Sequence, residues 1–530
     1  MISIIHPCSC IGFFVCRACG RFVGYAEKDG ADLAPDTVRD SSFLITSDLI
    51  VIILGIGTQA ILTRGLEQEA YGRWVIVIDL LRTIFLLSEL GLPPLMLREL
   101  PQNHGIANRL MTRTLRIQMF ALLLLLVPVH LLMTLFILPP DNHAWEVSGI
   151  ILIGALGFAV LSYGQRCGLR ALGRADVEAI SKITPAVIMV IGCAIVSFLS
   201  SDPLQGFALV MLVSTLSGFI IARIGLSRRL KSIEMDADDG MLPSSWTLIK
   251  WAAPFLLAVA LIPLASRVDK FVLAGLGPNA YVDVAIYNIA QMVFFAALVA
   301  PGALRGALVP VLSSYSVNDP SRRREVTSVM AYVVWLIPFG LILGFGVIHL
   351  ALPVIFPQEY TNPDDPTLLG AVFVATAMLP AWGLAMLSAP WIAEVQAGEN
   401  GWMFSVIFGV GLLVNTIGSL ALVPWLGVMG AVWSTIMMHI GLLITAVGLS
   451  RRSGREIPLT PLIMVGGAMC LLTGLFILAS TDALQSSTIL SVSLLIALAL
   501  WAGGWRPFPP SGLREIFTRG HQAEPSSEES

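Results

Sequence analysis

Residues 61–100 read ILTRGLEQEAYGRWVIVIDLLRTIFLLSELGLPPLMLREL. From Gly72 to Leu97 the stretch is mostly apolar. That is longer than the ~20 residues a helix needs to cross a hydrocarbon core. Asp79, Arg82 and Glu89 stand inside it. An ionisable group at that depth costs ~2.5–3.5 kcal/mol on insertion scales, so such groups face a cavity or one another. The run therefore reads as a membrane helix bordering a polar interior.

Outward from it the pattern repeats. Apolar runs of spanning length fall at 43–62, 72–97, 112–138, 148–169, 179–199, 204–226, 251–275, 282–306, 326–350, 368–392, 402–423, 427–450, 461–480 and 487–504. Lipid offers backbone amides no partner, and barrel strands would be half as long with alternating polarity, so these are helices. Composition agrees: 56% of residues are apolar and 13% charged, against about 25% charged in soluble domains. The expected fold is an all-α polytopic membrane protein of about 14 transmembrane helices. A net charge of −3 with no basic block gives nucleic acid no footing.

Lys and Arg alternate between loops. They are dense around Arg109, Arg113 and Arg116, around Arg166 and Arg170, and at Arg322 to Arg324, and absent from 139–146, 200–205 and 352–367. By the positive-inside tendency both termini are cytoplasmic in an inner (cytoplasmic) membrane. The loop around Glu394 to Gly401 falls inside yet lacks cations. Helices one to six (41–226) end in a charged cytoplasmic linker (227–250), and helices seven to twelve (251–450) repeat the plan. Six helices per half give a parallel repeat about an axis along the membrane normal. An extra helix pair (451–504) and a polar cytoplasmic tail (505–530) follow. Residues 1–40 form an N-terminal extension with no signal-peptide pattern. Its Cys8, Cys10, Cys16 and Cys19 with His6 have part of a zinc spacing. They fit better a reduced extension, or upstream sequence included in the reading frame.

No enzyme signature stands. The chain has no phosphate-binding P-loop and no H-E-x-x-H motif. No cofactor is expected. His439 is the one histidine well inside the second half's helices and reads first as structure. The deep charges carry the functional reading. Arg82, Arg267 and Lys270 are candidates to hold a phosphate-bearing substrate by charge-assisted bonds. The alternatives are an Asp79–Arg82 pair within one helix and snorkelling of Arg267 and Lys270 to the interface. Asp48, Asp79 and Asp269 are candidates for coupling to H+ or Na+, or for pairing with a neighbouring helix. Gln59, Asn288, Gln291 and Asn415 either line a polar path or bond between helices. Pro254, Pro263, Pro301 and Pro380 mark kinks, hinged or static.

Four stretches together resemble the polysaccharide-type flippases of the multidrug/oligosaccharidyl-lipid/polysaccharide exporter superfamily. In the opening segment they are Arg64, Tyr71-Gly72, Leu90-Gly91-Leu92 and Arg98. Next comes RVDKFVLAGLGPNAYVDVAIYNIAQ (267–291), with Asp269, Tyr287 and Ala290. LVPVLSSY (308–315) and NTIGSLALVPWLGVMGAVWST (415–435) complete the set. The resemblance covers about 41–450. It implies two bundles opening alternately to each side, with an undecaprenyl-pyrophosphate-linked saccharide held in the cleft by basic residues. Membrane lipids are the other expected partner. The rivals are an ion-coupled multidrug/cation antiporter of the same fold, a membrane glycan polymerase or ligase, and a non-transporting scaffold.

Overall fold

In the computed structural model, the described residues are 37–451, apart from 103, 234–242, 317–318, 366 and 399–400, together with 466, 467, 469, 470 and 472–474. The cysteine cluster of the extension, the tail and nearly all of predicted helices thirteen and fourteen lie outside them. No strand occurs among the described residues.

The first half consists of α1 (Thr37–Gly65), α2 (Gln68–Ser88), α3 (Leu92–Glu99), α4 (Ala107–Phe136), α5 (His143–Ala171), α6 (Ala175–Leu199) and α7 (Leu204–Ile233). The second consists of α8 (Ser245–Ala265), α9 (Val268–Leu276), α10 (Ala280–Ala297), α11 (Val299–Ser314), α12 (Pro320–Ile355), the single turn α13 (Gln358–Thr361), α14 (Ala371–Gln396), α15 (Gly401–Leu426) and α16 (Val428–Arg451). Among the described residues ten spans are long and apolar enough to cross a membrane, and α8, bent by 53° at position 254, makes eleven if it is one span. The chain is thus a multi-pass membrane protein. The helix with which the reading began, α2, is not among these spans, because its charges lower its apolarity.

Three predicted spans are broken, two of them near the prolines that marked kinks, Pro263 and Pro301. The run 72–97 divides at Leu90 and Gly91, which adopt φ of 51° and 70°. Only glycine takes such a φ without strain, and Pro93 and Pro94 then start α3 with no amide hydrogen to lose. The run 251–275 breaks at Ser266 and Arg267, between α8 and α9. The run 282–306 breaks at Leu298, and Pro301 sits in the first turn of α11, where its missing donor is harmless. Pro380 breaks nothing: α14 runs through it.

Packing follows one order in each half. In the first, α1 lies on α6, α5 on α7, and α6 on α7; in the second, α8 and α9 lie on α15, α14 on α16, and α15 on α16. The halves meet mainly where α2 packs on α10 and where α8 packs on α2 and α3. One apolar core crosses that seam, holding Val77, Leu81 and Phe85 of α2 with Ile286 and Ile289 of α10. Each end of the α2 segment approaches the other half closely. A Cβ on Gly72 would strike the carbonyl oxygen of Tyr281, and one on Gly91 the backbone of Ala252 and Leu256.

A buried charge cluster across the seam

The broken helices place the charges. At the α8–α9 break the chain leaves carbonyls without helical partners, and lipid supplies none. Asn415 of α15 donates from Nδ2 to the Ala265 oxygen at 2.7 Å, and Gln291 of α10 donates from Nε2 to the Ser266 oxygen at 3.1 Å. Both serve as structural bonds between helices. Asp269, in the first turn of α9, accepts from the Lys270 amide at 2.8 Å, where the helix dipole favours an anion. Its other oxygen accepts from the Tyr287 hydroxyl at 2.5 Å and the Thr435 hydroxyl at 3.1 Å.

The break also turns Arg267 and Lys270 toward the first half. Lys270 forms an ion pair with Asp79 of α2, and Arg267 Nε lies 3.5 Å from the same carboxylate. Arg267 donates to Thr83 Oγ1 at 3.1 Å, and Lys270 to Asn288 Oδ1 at 3.3 Å. Asn288 donates to the Tyr71 hydroxyl at 2.9 Å, which donates to Gln59 Oε1 at 2.8 Å. A polar chain therefore runs from α1 through α2 and α10 to α9. The charged members are withdrawn from solvent: Lys270 is 4% exposed, Asp79 6% and Arg267 8%.

Asp79 therefore pairs across the seam and not with Arg82, three residues along its own helix. Arg82 is half-buried and, among the described residues, makes no ion pair. Two cations, Arg267 and Lys270, share one seam-crossing carboxylate, with Arg82 near them. Asp48 lies elsewhere, in the first half, 3.0 Å from Lys182 Nζ of α6. Lys182 in turn pairs with Glu178, which pairs with Arg170 of α5.

A cavity of roughly 140 Å³ lies within the second half, lined in part by Asp269, Gln291, Thr435, His439, Phe294 and Arg305. It has room for a few waters. Arg82, Arg267 and Lys270 do not line it. Phe294 meets the His439 ring edge-on at 5.6 Å.

The partners missed in the sequence are Tyr71, Thr83, Lys182, Tyr287 and Thr435. Tyr71, Tyr287 and Thr435 stood inside the quoted motifs, so their signal was visible. Thr83 lies four residues beyond Asp79 and hydrogen-bonds its carbonyl at 2.7 Å, which leaves no mark in a sequence.

Several solved structures share this fold. The lipid II flippase MurJ, in an inward closed conformation, aligns with a TM-score of 0.58 at 15% identity over 90% of this chain and 99% of that one. An outward-facing multidrug resistance MATE family transporter of the MOP superfamily gives 0.52 at 12%, over 81% and 96%. A MOP superfamily transporter from Pyrococcus furiosus gives 0.52 at 14%, over 79% and 97%. No curated sequence relative matches. The sequence family described as polysaccharide biosynthesis protein matches residues 37–316. That match takes in α2, α9, α10 and the whole of the charge cluster. With the fold of the exporters around it, the chain belongs to the polysaccharide biosynthesis protein family.

Proposed function

We propose that this protein is a flippase that carries a lipid-linked oligosaccharide or polysaccharide precursor across the inner (cytoplasmic) membrane by alternating access. The observation that carries the reading is the cation-rich cluster on the seam between the halves. Arg82, Arg267 and Lys270 would hold the diphosphate of an undecaprenyl-pyrophosphate-linked saccharide. The two bundles are 41–226 and 251–450, and their shared packing order supports a parallel repeat. Both termini are cytoplasmic on the Lys and Arg pattern. The Gly72 end of α2 then faces outward and the Gly91 end inward.

Coupling to H+ or Na+ would fall to Asp79 or Asp269, which lie at the seam and in the second half's cavity. Asp48, paired with Lys182 of α6, lies at neither the seam nor the cavity and fits a structural role better. The antiporter reading would want an uncompensated acidic cavity, and the seam has the opposite sign. No soluble catalytic domain stands among the described residues, and the structural relatives named are transporters and flippases.

Deletion of the gene tests the reading. Lipid-linked repeat units should accumulate on the cytoplasmic leaflet, and Arg82→Ala should reproduce that phenotype. Normal surface glycan in both strains would defeat the proposal.

A further inference from the structure

Lys270 and Arg267 are buried cations of the second half, yet their counter-charge comes from the first. The other nearby carboxylate, Asp269, is taken by the Tyr287 and Thr435 hydroxyls and the Lys270 amide. The remaining polar partners of the two side chains, Asn288 and Thr83, are neutral. Among the described residues Asp79 is the carboxylate in direct ion-pair contact with both, with Arg82 beside it, whereas Asp269, held by neutral donors, keeps its charge and acts on Lys270 without a direct pair. If the halves part, both cations lose Asp79. Truncating or removing one partner of a desolvated pair is costly, because the other charge stays buried and unpaired.

We infer that Asp79 is a built-in substitute for the substrate's anionic group: in the empty, closed protein its carboxylate occupies the anion position on Lys270 and Arg267, and a diphosphate displaces it. The inference rests on the flippase reading above and adds a rule to it. The empty protein keeps its halves shut with its own carboxylate. The loaded protein neutralises the same cations without bridging the halves through Asp79, so the seam is released only when substrate is present. A diphosphate with two negative charges also matches three cations better than one carboxylate does. Asp79 thus sets selectivity by competition: weakly charged anions fail to evict it.

The geometry gives opposite signs to two substitutions on one helix face. Asp79→Asn keeps the shape and removes the competitor. Thr83→Asp, at the Arg267 contact, adds a second one. The probe is inorganic pyrophosphate, titrated calorimetrically into the purified full chain in nanodiscs, with Lys270→Gln as the control for the site. Asp79→Asn should bind it at least about tenfold tighter than the unsubstituted chain, and Thr83→Asp about tenfold weaker, with Lys270→Gln losing most binding.

If the unsubstituted chain binds pyrophosphate but Asp79→Asn binds it equally or less well, Asp79 is no competitor, and the anion-carrying site stands without it. Should Asp79→Asn fail to fold, Thr83→Asp decides alone, and unchanged affinity there overturns the inference. If neither the unsubstituted chain nor Asp79→Asn binds pyrophosphate, the anion-carrying reading itself falls and takes this one with it.

Discussion

At the residue scale, the cluster separates charges that hold the protein together from a charge left over. Arg82 makes no ion pair among the described residues. Arg82→Ala should therefore cost less stability than removing a cation that is paired with Asp79. Transport of lipid-linked saccharide in reconstituted vesicles should fall more than about tenfold, and Arg82→Lys should recover part of it, since it keeps the charge and loses the planar fork. Lys270→Gln should behave differently and cost roughly 3 kcal/mol in a thermal or denaturant melt, because Asp79 is then left with Arg267 alone at 3.5 Å. Equal stability losses for Arg82→Ala and Lys270→Gln would show that the two cations are not distinguished in this way. The identities of these charges were legible from depth alone: ionisable residues in apolar runs stand out. Their pairing was not. Asp79 and Arg82 sit three apart on one helix and look like partners, while the true partners lie 188 and 191 positions further along the chain. Only the α8–α9 break, marked in the sequence by no more than the nearby Pro263, turns Arg267 and Lys270 toward α2.

At the element scale, the breaks explain why polar residues sit where they do. Asn415 and Gln291 read as lining a polar path or bonding between helices; each caps a carbonyl exposed by the interruption between α8 and α9, and Gln291 also lines the cavity. Asn415→Leu keeps the branched shape and removes the donor to Ala265, which should destabilise the protein by ~1–3 kcal/mol in a melt. A stability unchanged from the unsubstituted chain would mean that another donor or water reaches that oxygen. The runs themselves were readable, and twelve of the predicted spans correspond to helices or helix pairs of the described chain. Of the three interruptions, the one at Gly91 had a local signal, a glycine followed by Pro93 and Pro94; those at Ser266 and Leu298 had only nearby prolines. The cation-poor loop after α14 also finds a physical account. Arg322, 2% exposed at the start of α12, donates to the Glu394 carbonyl at 2.8 Å, so a cation from the segment before α12 sits at that end of the helix.

At the scale of the whole molecule, both edges of the seam are shut at once. At the Gly72 end, Arg73 stacks on the Tyr281 ring at 4.0 Å, Gln68 donates to the Glu359 carbonyl at 2.7 Å, and the Tyr360 hydroxyl donates to the Leu66 carbonyl at 3.3 Å. At the Gly91 end, Arg98 lies 5.7 Å from the Phe255 ring, and Arg113 donates to the Pro243 carbonyl at 2.5 Å. With these contacts in place, Lys270, Asp79 and Arg267 are all but withdrawn from solvent. If the bundles rock about this seam, each edge must part in turn, and tying either one should stop the cycle. Cysteines at Gln68 and Glu359 would tie the first edge, and cysteines at Arg98 and Phe255, joined by a short bifunctional thiol reagent, the second. Each pair should abolish transport on cross-linking, and each single cysteine should leave it intact. A disulfide at the first edge should release activity again on reduction. Full transport by a chain cross-linked to completion at either edge would mean that substrate takes a route that does not part the halves, and the charge cluster between α2 and α9 would then be a strut and not a binding site.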